Sequence, residues 1–212
     1  MSAPWHVLGA AAALLAVTGC GLVQPLPKPR QVPAHFGPAS ELADIRRVMV
    51  LPFKTSSGVL ADTEAVREPF LSELQKLQRF EIVPLPQDAE AQFAIYNGLQ
   101  RGGIQPEALT RLGDRYRLDG VILATITGYR PYKPPYLGLR LQMISMHSAD
   151  AVWATDVFYD SADASTVEDL KHYTLSALAE PDALHGWELL LISPERFATF
   201  VAHRTLSRWR GL

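Results

Sequence analysis

Arg47-Val48-Met49-Val50-Leu51-Pro52-Phe53 is a short, nearly continuous apolar run that closes on a proline. Its length and its valines favour a β-strand buried on both faces, as in a central or parallel strand. Pro52 has no N–H for a ladder and ends it. Lys54-Thr55-Ser56-Ser57-Gly58 then reads as a polar loop. It is not a phosphate-binding loop, because it lacks the glycine spacing and the Gly-Lys-Ser/Thr ending.

Downstream, Val66, Phe70, Leu71, Leu74 and Leu77 follow helical spacing, which predicts an amphipathic helix over 62–79. Pro69 allows two versions: a helix starting near Glu68, or an earlier one that kinks. Phe80-Glu81-Ile82-Val83-Pro84 is a second strand, so strand, helix and strand form a right-handed βαβ unit. Asp88 is a candidate N-cap for a helix to Tyr96. Asn97-Gly98 and Gly102-Gly103 mark a loop, and Pro106 opens another helix with Leu109 and Leu112 facing inward.

Three strands follow Asp119-Gly120. Val121 to Tyr129 is rich in β-branched residues. Leu137, Leu139, Leu141 and Met143 alternate with Gly138, Arg140 and Gln142, the period of a half-exposed strand, which suits an antiparallel edge on a mixed sheet. Ala151 to Tyr159 is the third, paired with the second through the short turn at 147–150. The C-terminus reads as helix: Thr166 to Leu178, a break at Glu180-Pro181, and a new start at Ser193-Pro194-Glu195. Phe197, Phe200, Val201 and Trp209 form its apolar stripe. Arg196, Arg204, Arg208 and Arg210 lie largely off it, as on a solvated face.

The fold class is therefore α/β (α+β): one three-layer-like domain with a mixed sheet of about five strands, packed by helices in the order β-α-β-α-α-β-β-β-α-α.

Upstream of this domain, Val7 to Val17 is apolar or small throughout and too short to span a bilayer, which needs about 20 residues. It has the length of a signal-peptide core, although residues 1–6 hold no Lys or Arg. It ends in Leu14-Leu15-Ala16-Val17-Thr18-Gly19-Cys20, with the only cysteine of the 212 residues. A buried helix ending in a structural cysteine is the alternative. Residues 21–40 carry Pro25, Pro27, Pro29, Pro33 and Pro38, which blocks helix and leaves polyproline-like or simply disordered chain. At about 3.1 Å per residue, that stretch reaches roughly 60 Å. The expected organisation is a signal peptide over 1–19, Cys20 with a Pro-rich tether over 20–44, and a globular domain over 45–212.

Composition narrows the function. The formal net charge of −2 lacks the basic footprint of a nucleic-acid binder. One cysteine permits no intrachain disulfide framework. No Gly-x-Ser-x-Gly is present, and the six histidines show neither His-Glu-x-x-His nor tight ligand spacing. Asp114 and Asp119 flank a helix–strand junction, where helix-end and turn chemistry accounts for both. No catalytic constellation, metal site or cofactor motif emerges. One surface stretch stands out: Tyr129-Arg130-Pro131-Tyr132-Lys133-Pro134-Pro135-Tyr136 joins two strands. Tyr and Arg are enriched at binding hot spots, so Tyr129, Arg130, Tyr132, Lys133 and Tyr136 are candidate partner-binding residues; a stiff hairpin connection whose tyrosines cap the core is the alternative.

Val17-Thr18-Gly19-Cys20 resembles the lipobox of bacterial lipoproteins. The resemblance implies cleavage before Cys20, diacylglycerol on its sulfur and acylation of the new N-terminus. Gly21, in place of the Asp that signals inner-membrane retention, implies an outer-membrane protein facing the periplasm. The element order, with Val48–Phe53, Tyr116–Tyr129 and Ala151-Val152-Trp153, resembles the small α/β domain shared by LpoB, CsgG and the N-terminal part of TolB. The pore-building hairpins of the second and the propeller of the third have no counterpart here. The expected function is a cell-envelope lipoprotein whose domain is a non-enzymatic interaction or assembly module for an envelope protein. Two alternatives stand beside it: a periplasmic small-ligand binder or enzyme using a crevice beyond Phe53 around Lys54 to Gly58, and a structural lipoprotein held by lipid alone.

Overall fold

The computed structural model describes residues 28–86, 88, 95, 98, 106–177 and 186–211. The signal segment, Cys20, most of the helix expected after Asp88, the glycine loop after it and the break at Glu180-Pro181 lie outside these residues.

The described chain runs β1 (Ala34–Phe36), α1 (Ala39–Asp44), β2 (Arg47–Val50), β3 (Lys54–Thr55), α2 (Thr63–Gln75), β4 (Glu81–Val83), α3 (Pro106–Tyr116), β5 (Gly120–Arg130), β6 (Tyr136–Ser145), β7 (Ala151–Asp160), α4 (Ala164–Ala177), α5 (Gly186–Leu190) and α6 (Pro194–Thr205), and a 3-10 turn over Ser207–Gly211. The strands form one mixed seven-stranded sheet in the order β1-β7-β6-β5-β2-β4, with β3 continuing beside β5. β2 is parallel to both β4 and β5, as the βαβ reading requires. The hairpins β5–β6 and β6–β7 are antiparallel.

The run at 47–53 is buried on both faces. Val48 and Val50 join a main core with Val66, Phe70 and Leu74 of α2 and with Phe197, Phe200 and Val201 of α6. Met49 and Leu51 face the other way, onto a smaller core with Leu112, Leu118 and Val121. Helices thus cover the sheet on one side through α2, α4 and α6, and α3 covers the β2–β5 half of the other. Asp62 caps α2, its carboxylate accepting from the N–H groups of Glu64 (3.1 Å) and Ala65 (3.2 Å). The helix therefore starts before Pro69, which sits inside it. Ser193 caps α6 with Pro194 in the first turn, as the sequence predicts.

Four expectations are corrected. Lys54–Thr55 is strand, not loop: Pro52 interrupts the ladder and the chain rejoins β5 opposite Thr125 and Ile126. Gly58, at φ +79°, makes the turn that follows. β6 is not near an edge; β7 and then β1 lie outside it, and β1 comes from the Pro-rich stretch. Folded chain starts inside that stretch: Val32 is buried, and Arg30 is tied to Asp169 through its N–H (3.0 Å) and its Nε (2.9 Å). The last concerns charge. Arg204 is buried, near Asp169 at 3.7 Å and donating to the Arg30 carbonyl, and Arg210 reaches Glu73 at 3.0 Å. Arg204 is therefore not on the solvated face, whereas Arg210 stays exposed, as expected, and pairs with Glu73.

Candidate interaction surface

Register places the site. Across β5, β6 and β7, one face carries Leu123, Gln142 and Ala154 in one row and Thr125, Arg140 and Asp156 in the next. Further along come Gly128, Gly138 and Phe158, then Arg130, Tyr136 and Asp160. His35 of β1 extends the first row beside Ala154. Arg140 and Gln142 are exposed here because no described helix packs on this half of the face, not because their strand is an edge. A shallow groove runs through Ala34, His35, Arg140, Gln142, Ala154 and Asp156.

The aromatic end of this face is built on missing side chains. Phe158 is 53% exposed, and its ring lies over Gly138 and Gly128. A Cβ on Gly138 would stand 2.8 Å from the Phe158 ring and 2.5 Å from Thr127 Oγ1. A Cβ on Gly128 would meet the same ring at 3.0 Å. An aromatic laid over cross-strand glycines restores the contact area that the glycines lack. Tyr136 packs beside Phe158 with ring centroids 5.5 Å apart, and the Arg130 guanidinium sits 4.5 Å over Tyr136. Cation–π contact of this kind contributes about 0.5–1 kcal/mol at an exposed site.

The candidate residues of the β5–β6 connection separate into two groups. Arg130 and Tyr136 are held within the hairpin: Arg130 Nε donates to the Pro134 carbonyl (2.6 Å) and its guanidinium lies 3.6 Å from Asp160. Tyr129 is half-buried, and burial first, then the charge of Asp62, pushes its hydroxyl pKa up. Tyr132 and Lys133 stand out from the connection, Tyr132 being 79% exposed. The sequence missed Phe158 and the glycine pair. Its strand alternation held the signal, since Phe158 falls on the polar side with Asp156 and Asp160.

Asp119 and His203, among the residues weighed for chemistry, make structural contacts. Asp119 Oδ2 accepts from the N–H groups of Arg46 (2.9 Å) and Arg47 (2.8 Å), fixing the entry of β2. His203 Nδ1 lies 3.0 Å from Glu73 Oε2, in a cluster with Lys76 and Arg210 that ties α2 to the C-terminal turn. Burial alone would raise the Glu73 pKa, but the hydrogen bonds from His203 and Lys76 outweigh it and hold the carboxyl at about 2. Among the described residues no group of three or more His, Cys, Asp or Glu side chains is arranged to hold a metal ion. Lys54 and Thr55, placed at the expected crevice, sit in the sheet beside β5.

This arrangement of sheet and helices has a known counterpart. The fold is similar to that of PelC. The dodecamer of PelC from Paraburkholderia phytofirmans superposes with a TM-score of 0.50 at 13% identity, over 85% of this chain and 96% of that one. A lipoprotein from Neisseria meningitidis, GNA1162, matches with a TM-score of 0.44 at 13% identity, over 64% and 98%. LpoB from E. coli matches with 0.41 at 12% identity, over 74% and 94%. At these identities the likeness concerns the fold. No protein-family model matches the chain, and no curated protein matches it.

Proposed function

We propose that the chain is a cell-envelope lipoprotein, held by lipid on Cys20, whose domain is a non-enzymatic docking module for another envelope protein. The face of β6 and β7 that no described helix covers carries the reading, with its fixed Phe158–Tyr136–Arg130 stack and the Arg140–Asp156 pair beside it. A pre-ordered aromatic surface ringed by polar groups offers contact area at little entropic cost, which is what a binding hot spot requires. Tyr132 and Lys133 of the connection extend it, while Tyr129 stands on the opposite face against the main core. The lipobox and Gly21 support an outer-membrane location facing the periplasm.

Crosslinking and affinity capture from native membranes test the proposal. The wild type is compared with Phe158→Ser, Arg140→Glu and a chain whose 131–134 segment is Gly/Ser. We expect one crosslinked partner, another protein or a second copy, that weakens with Phe158→Ser and Arg140→Glu. A partner list unchanged in all variants contradicts the role of this face.

A further inference from the structure

The described chain leaves the domain at a definite place. Backwards from Ala34, opposite Thr155, it runs beside β7 until the Arg30 guanidinium stacks 4.9 Å over the Tyr159 ring. There Arg30 is clamped on Asp169. β7 ends one residue later, where Asp160 pairs with Tyr136 and the Ser161 N–H donates to the Pro135 carbonyl at 3.0 Å. Arg30 therefore stands at the end of the sheet that carries the β5–β6 connection. Arg30 lies ten positions after Cys20, a span of about 36 Å at full extension.

Four of the six large exposed apolar residues among the described residues collect at this same end. Tyr132 projects from the connection. The 56–62 loop lies beside the second half of β5, since Thr55 pairs with Ile126 and the Ser56 N–H donates to the Ile126 carbonyl. It carries Leu60, 91% exposed. α6 points the same way: Phe200 packs on Tyr159, and Trp209, beyond the helix's C-terminus, packs on Trp153 further back along β7. Its N-terminus thus lies towards the connection, with Ile192 (68% exposed) just before it and Leu189 (48% exposed) in α5. α2 runs alongside α6, with Glu73 opposite His203. That sets Asp62 and Ser193, the two caps, at one end.

We infer that this end of the domain rests on the lipid surface, with Leu60, Tyr132, Leu189 and Ile192 entering the headgroup layer. The inference rests on the reading of Cys20 as the lipid anchor. A short link that leaves at this end brings these residues to the bilayer, where Tyr and apolar side chains settle and Lys133 reaches the phosphates. The Arg130 guanidinium is taken up within the hairpin, 3.6 Å from Asp160 and donating to the Pro134 carbonyl, so the exposed groups named here are mainly apolar. The contact is therefore apolar, and it does not depend on anionic lipid or low salt. It leaves the face of Phe158 and Arg140 turned sideways, open to a partner.

The test uses the full lipidated chain in vesicles of phosphatidylethanolamine and phosphatidylglycerol. With Cys20 acylated, an added cysteine is the one free thiol. Leu60→Cys, Tyr132→Cys, Ile192→Cys and, in the far β6–β7 turn, Ala149→Cys each receive a nitrobenzoxadiazole probe. Flotation with the vesicles reports the anchor. We expect the probes at 60, 132 and 192 to shift to the blue and to be quenched several-fold by brominated lipid, in low and high salt alike. The probe at 149 stays wet. Flotation with all four probes wet overturns the inference and leaves the anchor standing. Chains that do not float overturn the anchor, and the inference with it.

Discussion

Arg30 Nε donates to Asp169 Oδ2 at 2.9 Å, joining residues 139 apart in the chain. Asp169 is almost wholly buried and also receives the Arg30 N–H and faces Arg204 at 3.7 Å. The contact closes the domain at its N-terminal end. It also decides how much chain remains between the fold and Cys20.

The two partners contribute unequally. Asp169→Ala leaves Arg204 buried without its carboxylate, and breaking a buried pair in this way costs about 3 kcal/mol or more. Arg30 is largely exposed, so Arg30→Ala costs about 1 kcal/mol. Urea unfolding of the two variants checks the order. Equal midpoints contradict it.

Glu73 sets an acid limit on stability. Its pKa drops from 4.5 to about 2 in the fold, because the hydrogen bonds from His203 and Lys76 overcome the cost of burial. A lowered carboxyl pKa stabilises fully above the unfolded value and is lost as pH falls through the folded one. Tm should therefore fall between about pH 4.5 and about pH 2. Glu73→Gln has a lower Tm at neutral pH and a flatter profile across that window. Parallel profiles exclude Glu73 as the group responsible.

Gly138 is required by Phe158. With a Cβ 2.8 Å from that ring and 2.5 Å from Thr127 Oγ1, Gly138→Ala forces both to move. Overpacking of this size costs about 1–3 kcal/mol. Phe158→Ala relieves one clash, so the double variant loses less than the sum of the singles. Strict additivity in a thermal-unfolding cycle contradicts the packing described here.

The framework of the fold is legible because its signals are local. A run such as 47–53 with no polar face is buried twice; Ser193-Pro194-Glu195 starts a helix by its own chemistry; the period of 137–143 marks a sheet with one open side. What the sequence hid is non-local. Nothing in Ala34-His35-Phe36 announces a strand until β7 offers its edge. The Arg204 side chain reads as solvated until Asp169 arrives from another helix. Phe158 shows its role only when register sets two glycines beside it. The tyrosines of 129–136 were visible as a group, but tertiary contacts alone divide Tyr132 and Lys133, which project, from Arg130 and Tyr136, which are held.

Lipid attachment at Cys20 is the claim on which anchor, location and orientation depend. Metabolic labelling with palmitate of cells making the full chain, beside Cys20→Ser, tests it most directly. The account predicts label on the wild type, none on Cys20→Ser, and loss of that variant from the membrane fraction. Label persisting on Cys20→Ser, or absent from the wild type, would contradict it.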